Sequence, residues 1–167
     1  MNAMNVFTEP VSFDALDACH QQILAHLVEL EGLARQVAQQ GVDAAVQKHA
    51  GGIEAFFSGT SRKHHAQEEE SVFPPLLARG DAELVANVRV LQQDHGWIEE
   101  NWIELAPQLR AIAEGNNWVD ADELLHGVTV FADLLRGHIA LEETIIYPAS
   151  KERWAQVVAK RPARAPR

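Results

Sequence analysis

Two segments of the chain share a pattern that could bind metal ions. Residues 64–74 read HHAQEEESVFP and residues 138–148 read HIALEETIIYP, so both contain His-x-x-x-Glu-Glu-x-x-x-aromatic-Pro. Because residues four apart on an α-helix lie about one turn along the axis and on nearly the same face, the His and Glu of each copy point toward one place. The pattern therefore predicts His64, Glu68, His138 and Glu142 as metal ligands.

A further histidine precedes each of these motifs. Residues 16–23 and 91–98 align with an offset of 75, which pairs His20 with His95, and the two motifs align with an offset of 74. Self-similarity at a long, nearly constant offset indicates two equivalent structural units. The predicted ligand set is His20, His64, Glu68, His95, His138 and Glu142.

Six ligands of this kind fit two metal ions better than one. A structural zinc site closes at four ligands, so four imidazoles and two carboxylates exceed it. If both carboxylates bridge, His20 with His64 serves one ion and His95 with His138 serves the other. A shared oxo or hydroxo group would be the fifth ligand of each ion, and one position on each octahedral ion stays open. Nitrogen and carboxylate ligands without thiolate favour iron over manganese or zinc.

Other polar residues lie beside these predicted ligands. Adjacent helical residues are about 100° apart, so we expect three glutamates to be solvated or to support the ligands from outside. These are Glu69, Glu70 and Glu143. His65 adjoins His64, but its repeat mate is Ile139, which cannot bind metal. The repeat therefore selects His64.

Two residues near the predicted ligands differ from the residues at the matching positions in the other half of the chain. Glu99 lies four residues after His95, where the first half has Leu24. It could be an additional ligand, a hydrogen-bond partner of a bound molecule, or a solvated glutamate at the edge of the helix face. Cys19 adjoins His20 but points about 100° away, so we expect a buried, inert thiol.

Apolar residues at spacings of three and four predict four long amphipathic helices that carry these side chains. The predicted helices span residues 12–41, 43–74, 81–115 and 120–148, and residues 150–160 could form a short extra helix. Capping residues precede the apolar pattern, and Pro74, Pro75 and Pro148 are expected to end helices, while Pro107 predicts a kink or break. Short connections imply antiparallel neighbours. The predicted fold is all-α, an antiparallel up-down four-helix bundle with an internal two-fold pseudo-repeat.

Length and composition bound the remaining expectations. At 167 residues we expect a single domain, with the bundle at about 12–148 and a short helix and disordered basic tail at 149–167. The net charge of −10 argues against nucleic acid or an anionic membrane surface as a partner. Cys19 is the single cysteine, and no signal peptide or run of about 18 apolar residues is visible. A cytoplasmic location is the simplest expectation.

The residue pattern resembles the hemerythrin-like domain, also called the HHE cation-binding domain. That family's order of His, His-x-x-x-Glu, His and His-x-x-x-Glu is matched by the six predicted ligands, and the aromatic-Pro pairs at 73–74 and 147–148 are similar as well. The likeness spans about residues 12–148. It implies an antiparallel four-helix bundle that holds an oxo- or hydroxo-bridged di-iron site. Oxygen-carrying hemerythrins have a fifth His one turn from the third-helix ligand, where this chain has Leu91 and Glu99 around His95.

The expected function is that of a non-haem di-iron protein. It would bind or sense oxygen, nitric oxide, peroxide or iron. The resemblance implies binding of oxygen, sensing of oxygen, iron or nitric oxide, and repair of damaged iron centres. The alternative is a di-iron redox enzyme or iron donor, which would reduce nitric oxide or peroxide or repair iron centres. A structural bundle with zinc or only hydrogen bonds in its polar interior is the third hypothesis.

Overall fold

The computed structural model describes residues 11–160, which form four long helices. Helix α1 is Phe13–Gln40 and helix α3 is Ala82–Ala113. Helix α2 covers residues 44–79 and contains two widened π-turns; its parts are Ala44–Phe56, Phe57–Ser61 (π), Arg62–Gln67, Glu68–Val72 (π) and Phe73–Arg79. Helix α4 runs through Ala121–Leu141, Glu142–Ile146 (π) and Tyr147–Ala159. The predicted all-α four-helix bundle is confirmed.

Each helix begins at a predicted capping residue. The side-chain oxygens of Ser12, Asp43, Asp81 and Asp120 accept hydrogen bonds from backbone N–H groups of the first turn. These N–H groups have no partner inside the helix, so the caps fix where the helices start. Helix α1 packs against α2 and α4, and α3 packs against the same two helices. This arrangement is the up-down bundle that the short connections predict.

Helices α2 and α4 continue beyond the prolines that were predicted to end them. Directly before Pro74 the N–H of Phe73 donates to the carbonyl of Glu68, and directly before Pro148 the N–H of Tyr147 donates to the carbonyl of Glu142. These five-residue spacings widen the turn, so each proline occupies the second position of a new α-helical segment, where a missing N–H is tolerated. The predicted helix ends were therefore wrong, and the predicted short helix at 150–160 is the last part of α4.

Pro107 does not break helix α3. The carbonyl that loses its helical hydrogen bond belongs to Ile103, whose residue surface is 58% exposed. This part of the helix faces water, which can bind the freed carbonyl. The predicted break was wrong, and α3 continues to Ala113. Of the predicted basic tail, residues 161–167 lie outside the described part of the chain.

The core consists of two apolar clusters separated along the bundle axis. The larger cluster includes Leu27, Trp102 and Phe131, and the smaller includes Leu16 and Leu76. Between them the chain buries a polar layer. The buried polar residues of this layer include His20, His64, Glu68, His138 and Glu142.

By length and composition alone, helix α4 is also long and apolar enough to cross a membrane. Its most apolar 18-residue window has a mean hydropathy of 1.2. However, Leu124, Val128, Phe131 and Leu135 of this helix are buried in the larger apolar cluster. Packing inside the bundle therefore accounts for the composition.

The first prediction concerns Phe131, whose ring lies 5.3 Å from that of Phe57 and 5.2 Å from that of Trp102. Phe131→Ala should lower the free energy of unfolding by about 3–5 kcal/mol because it leaves a cavity in the larger cluster. Val130→Ala is the matched control, since Val130 is 41% exposed and should change stability by less than about 0.5 kcal/mol. Urea unfolding followed by circular dichroism measures both, and equal effects would contradict the assignment of the core.

Candidate metal centre

Four helices bring the six predicted ligands to one place in the polar layer. His20 comes from α1, His95 from α3, and each His-x-x-x-Glu pair from α2 or α4. The carboxylates of Glu68 and Glu142 are both 0% exposed. Such burial of two carboxylates is costly unless positive charge or donors surround them. The layer between the two apolar clusters supplies those groups.

Glu68 lies between the two histidine pairs, with one oxygen toward each. Its Oε1 lies 3.3 Å from Nε2 of His64 and 3.9 Å from Nε2 of His20. Its Oε2 lies 3.4 Å from Nε2 of His95. A carboxylate with its two oxygens directed at different nitrogen sets has the geometry of a bridging ligand.

Glu142 repeats this geometry from the opposite helix. Its Oε2 lies 3.0 Å from Nε2 of His20, and its Oε1 lies 3.1 Å from Nε2 of His138. The Nε2 atoms of His95 and His138 are 3.1 Å apart, which is closer than two protonated rings would tolerate. The arrangement brings nitrogen and oxygen atoms together as ligands of a cation would be.

Two overlapping groups of ligand atoms can be defined, each with all its atoms within 4.8 Å of one another. The first group contains His20, His64, Glu68 and Glu142, and the second contains His65, Glu68, His95 and His138. Glu68 belongs to both. The second group includes His65, which the repeat in the sequence did not predict as a ligand.

A geometric signal for His65 was present in the sequence. Residues three and four before a helical residue both flank it, so His65 and His64 are both neighbours of Glu68. The repeat in the sequence predicts that only one residue of the His64-His65 pair faces inward. In the structure the two rings are 5.6 Å apart and belong to different groups of ligand atoms, both of which include Glu68.

Glutamates outside the ligand layer hold the rings of two histidines. Nδ1 of His20 lies 3.0 Å from Oε1 of Glu143, and Nδ1 of His95 lies 2.8 Å from Oε1 of Glu69. A carboxylate that accepts the Nδ1 proton leaves Nε2 free as the metal ligand. Glu69 and Glu143 are repeat mates, so the two halves of the chain use the same device, and both residues support ligands as expected.

Cys19 and Asp94 occupy the corresponding place beside the other two histidines. Nδ1 of His138 lies 3.5 Å from Oδ2 of Asp94, and the Cys19 side chain interacts with the ring of His64. These two residues are also repeat mates, with an offset of 75. Cys19 is partly rather than fully buried and packs against the larger apolar cluster, and the inertness of its thiol stays a prediction.

The aromatic residues of the two aromatic-Pro pairs stack on His20 and His95, the histidines that precede the two His-x-x-x-Glu motifs. The ring of Tyr147 is stacked on His20 at 5.1 Å, and the ring of its repeat mate Phe73 is stacked on His95 at 5.5 Å. The Tyr147 hydroxyl donates a hydrogen bond to Oε1 of Glu68 and lies 3.1 Å from Nε2 of His20. Phe73 has no hydroxyl, so the two sides of the centre differ in this respect.

Glu99 lies apart from both groups of ligand atoms. It is half-exposed and accepts hydrogen bonds from the guanidinium of Arg62 on the neighbouring helix. The structure therefore places it in an ion pair at the surface of the bundle. This contact accounts for a carboxylate where the first half has Leu24.

Opposite charges lie next to one another in this layer. Burial opposes the negative charge of Glu68, but the adjacent rings of His64 and His95 outweigh this effect and hold the pKa of Glu68 well below its usual value. Burial likewise opposes the charge of His64, but interactions with Cys19 and Glu68 raise its pKa to about 10. For His138, burial opposes the positive charge, but the nearby carboxylates of Asp94 and Glu142 overcome it and raise the pKa to about 9.

Other groups in the layer are neutral at physiological pH. Burial, together with the neighbouring rings of His95 and His138, lowers the pKa of His65 well below its usual value. Burial and the nearby carboxylates of Glu68 and Glu142 raise the pKa of the Tyr147 hydroxyl. His65 is therefore an uncharged imidazole, which is the form that binds a metal ion.

Several buried atoms of the layer have no hydrogen-bond partner among residues 11–160. They include both carboxylate oxygens of Glu142, Oε2 of Glu68, and Nε2 of His64 and His65. Leaving so many polar atoms without partners would be costly in an apolar interior. A pair of cations would serve these atoms, so the donor set fits metal ions.

Together, the bundle and its buried His and Glu layer define a helical protein with a metal-binding site in its core. Comparison with known families shows that the chain belongs to the hemerythrin family, because the hemerythrin HHE cation binding domain matches residues 11–150. The resemblance seen in the sequence is thereby confirmed, and the protein is a cation-binding domain protein.

A relative is found in Haemophilus influenzae, in a protein described as an uncharacterized protein. The two are 28% identical over 140 residues, which cover 83% of this chain and 77% of the relative. No solved structure matches the chain.

The second prediction follows from the raised pKa values of His64 and His138. Each folded histidine binds its proton more tightly than in the unfolded chain, where the pKa is about 6.5. Their contribution to stability is therefore complete below pH 6.5 and is lost as the pH rises through about 9 and 10. Urea unfolding of chelator-treated protein should show stability falling between pH 7 and pH 10. The double variant His64→Gln/His138→Gln should show a flatter profile, and an equally steep profile would contradict the assignment.

The third prediction concerns Glu69, which accepts from Nδ1 of His95 and also from Nε2 of Gln92 at 2.9 Å. Glu69→Ala should weaken metal binding about 10–100-fold because the His95 ring loses its orientation. Glu70→Ala changes the same charge at the exposed neighbouring residue and should leave the affinity unchanged. Competition with a coloured chelator measures both affinities, and similar values for the two variants would count against the orienting role.

Proposed function

We propose that this protein holds two iron ions at a carboxylate-bridged site and uses them to bind or sense oxygen, nitric oxide or peroxide. The observation that carries the proposal is the position of Glu68 and Glu142. Each carboxylate directs one oxygen to the side of His20 and the other to the side of His95 or His138. Carboxylates placed in this way between two histidine pairs would bridge two cations, which supports a site for a pair of ions.

The chain supplies nitrogen and carboxylate ligands and no thiolate, which favours iron. His20 and His64 would hold one ion, and His95 and His138 the other. Iron bound in this way supplies redox chemistry and open coordination positions for a small molecule. Glu69 and Glu143 keep the Nε2 atoms directed inward through their hydrogen bonds to Nδ1.

The surroundings of the site favour a small ligand. Apolar side chains pack along the bundle on both sides of the polar layer, which leaves little space for a large substrate. The Tyr147 hydroxyl is a hydrogen-bond donor beside His20 and Glu68. It would donate to a small molecule on the His20 side by exchanging its hydrogen bond to Glu68, whereas Phe73 on the opposite side offers no donor.

The proposed partners are small molecules, and neither nucleic acid nor a membrane surface is among them. A net charge of −10 would repel both of those anionic surfaces. The single cysteine of the chain suits a reducing compartment, so the proposed location is the cytoplasm.

The fourth prediction tests the two bridging carboxylates. Protein loaded with Fe²⁺ under argon should carry two irons per chain by elemental analysis. Glu68→Gln/Glu142→Gln should lose most of this iron while keeping its helical circular dichroism, because the amides cannot supply two anionic oxygens. Glu70→Gln/Glu100→Gln is the matched control, since it changes two exposed glutamates by the same chemistry and should retain two irons.

Fewer than two irons per chain in the natural protein would contradict the proposal, and retention of iron by the Glu68→Gln/Glu142→Gln variant would contradict the bridging role. Stopped-flow mixing of the reduced, iron-loaded protein with oxygen, nitric oxide or peroxide then defines the activity. A stable change in absorbance that is stoichiometric with protein supports binding or sensing. Continued loss of the small molecule over many turnovers would instead identify a redox enzyme.

A further inference from the structure

His65 breaks the two-fold repeat at the centre of the molecule. Its repeat mate is Ile139, which is 3% exposed and packs in the larger apolar cluster. The ring of His65 turns instead into the polar layer, where it stacks on His95 at 4.5 Å and meets His138 edge-on at 5.4 Å. An apolar residue fits this position in one half of the chain, so packing does not call for a histidine in the other.

The Nε2 atom of His65 is buried and has no hydrogen-bond partner among residues 11–160. A buried imidazole nitrogen without a partner is unfavourable compared with an isoleucine side chain at the same place. Ligand atoms of His65, Glu68, His95 and His138 all lie within 4.8 Å of one another. The unpartnered nitrogen thus belongs to a group that can surround one ion.

We propose that His65 is a fifth imidazole ligand and binds the ion held by His95 and His138. The inference rests on the proposed two-iron site. The ion on this side would then have three nitrogens, two carboxylate oxygens and the shared oxo or hydroxo group, which complete an octahedron. The ion at His20 and His64 has two nitrogens and keeps an open position.

The consequence is that a small molecule binds on one side of the pair only. That side is the one where the Tyr147 hydroxyl adjoins His20. Repeat symmetry alone would have given each ion the same ligands and an open position of its own. The added imidazole comes from α2, since the residues one turn from His95 on α3 are Leu91 and Glu99.

His65→Ile tests this inference, because it installs the residue type of the repeat mate and makes the two halves alike. In natural protein loaded with ⁵⁷Fe and oxidised in air, Mössbauer spectra should show two quadrupole doublets of equal area. In the variant these doublets should converge, and one of the two irons should bind at least tenfold more weakly. Titration with azide measures how many azide ions bind, and this number should rise from one per iron pair in the natural protein to two in the variant. His49→Ile, at an exposed histidine of the same helix that pairs with Glu29, is the matched control and should leave all readouts unchanged.

Unchanged doublets, iron affinity and azide stoichiometry in His65→Ile would overturn the inference. A single doublet in the natural protein would overturn it as well, and this measurement does not depend on the folding of a variant. His65→Gln, which keeps a polar side chain, provides a second variant with the same expected outcome. If the natural protein takes up fewer than two irons, the proposed function itself fails. Two irons in the natural protein with an unaltered variant would reject only the role of His65.

Discussion

The structure depends on the burial of two carboxylates in the middle of an apolar bundle. Glu68 and Glu142 are fully buried, and an ionised carboxylate in such a place is stable only with cations or several donors around it. In the metal-free chain, protons on His64 and His138 provide part of this charge, which is why the pKa values of these histidines are raised to about 10 and 9. Metal ions must displace those protons to bind, so metal uptake is coupled to pH and to the stability of the bundle.

Much of the fold and the centre could be predicted because helical periodicity links sequence spacing to direction in space. The shared face of His138 and Glu142 follows from that periodicity alone, and the caps at Ser12 and Asp43 follow from their side-chain oxygens just before the apolar pattern begins. The helix ends could not be predicted in this way. A π-turn inserts one residue into the turn, so the pattern before Pro74 or Pro148 looks like a helix end although the chain continues.

The repeat identified the six shared ligands but concealed the residues that differ between the halves. It assumes equivalence, so it discards His65 because the other half has Ile139. Helical geometry within α1 predicts only that Cys19 points about 100° away from His20. The ring that Cys19 adjoins is that of His64, which lies on a different helix. Contacts of this kind depend on how neighbouring helices are rotated, which periodicity within one helix does not determine.

The differences between the halves are concentrated around the two histidine pairs. Tyr147 and Cys19 adjoin the side of His20 and His64, whereas their repeat mates Phe73 and Asp94 adjoin the side of His95 and His138. A phenol and a thiol on one side, and an unreactive ring and a carboxylate on the other, give the two sides different chemistry on a common scaffold. In the proposed two-iron site the carboxylates of Glu68 and Glu142 would join the two sides, so a molecule bound at one ion would be felt at the other. Asymmetric neighbours on a symmetric scaffold would then let one side anchor metal while the other meets the ligand.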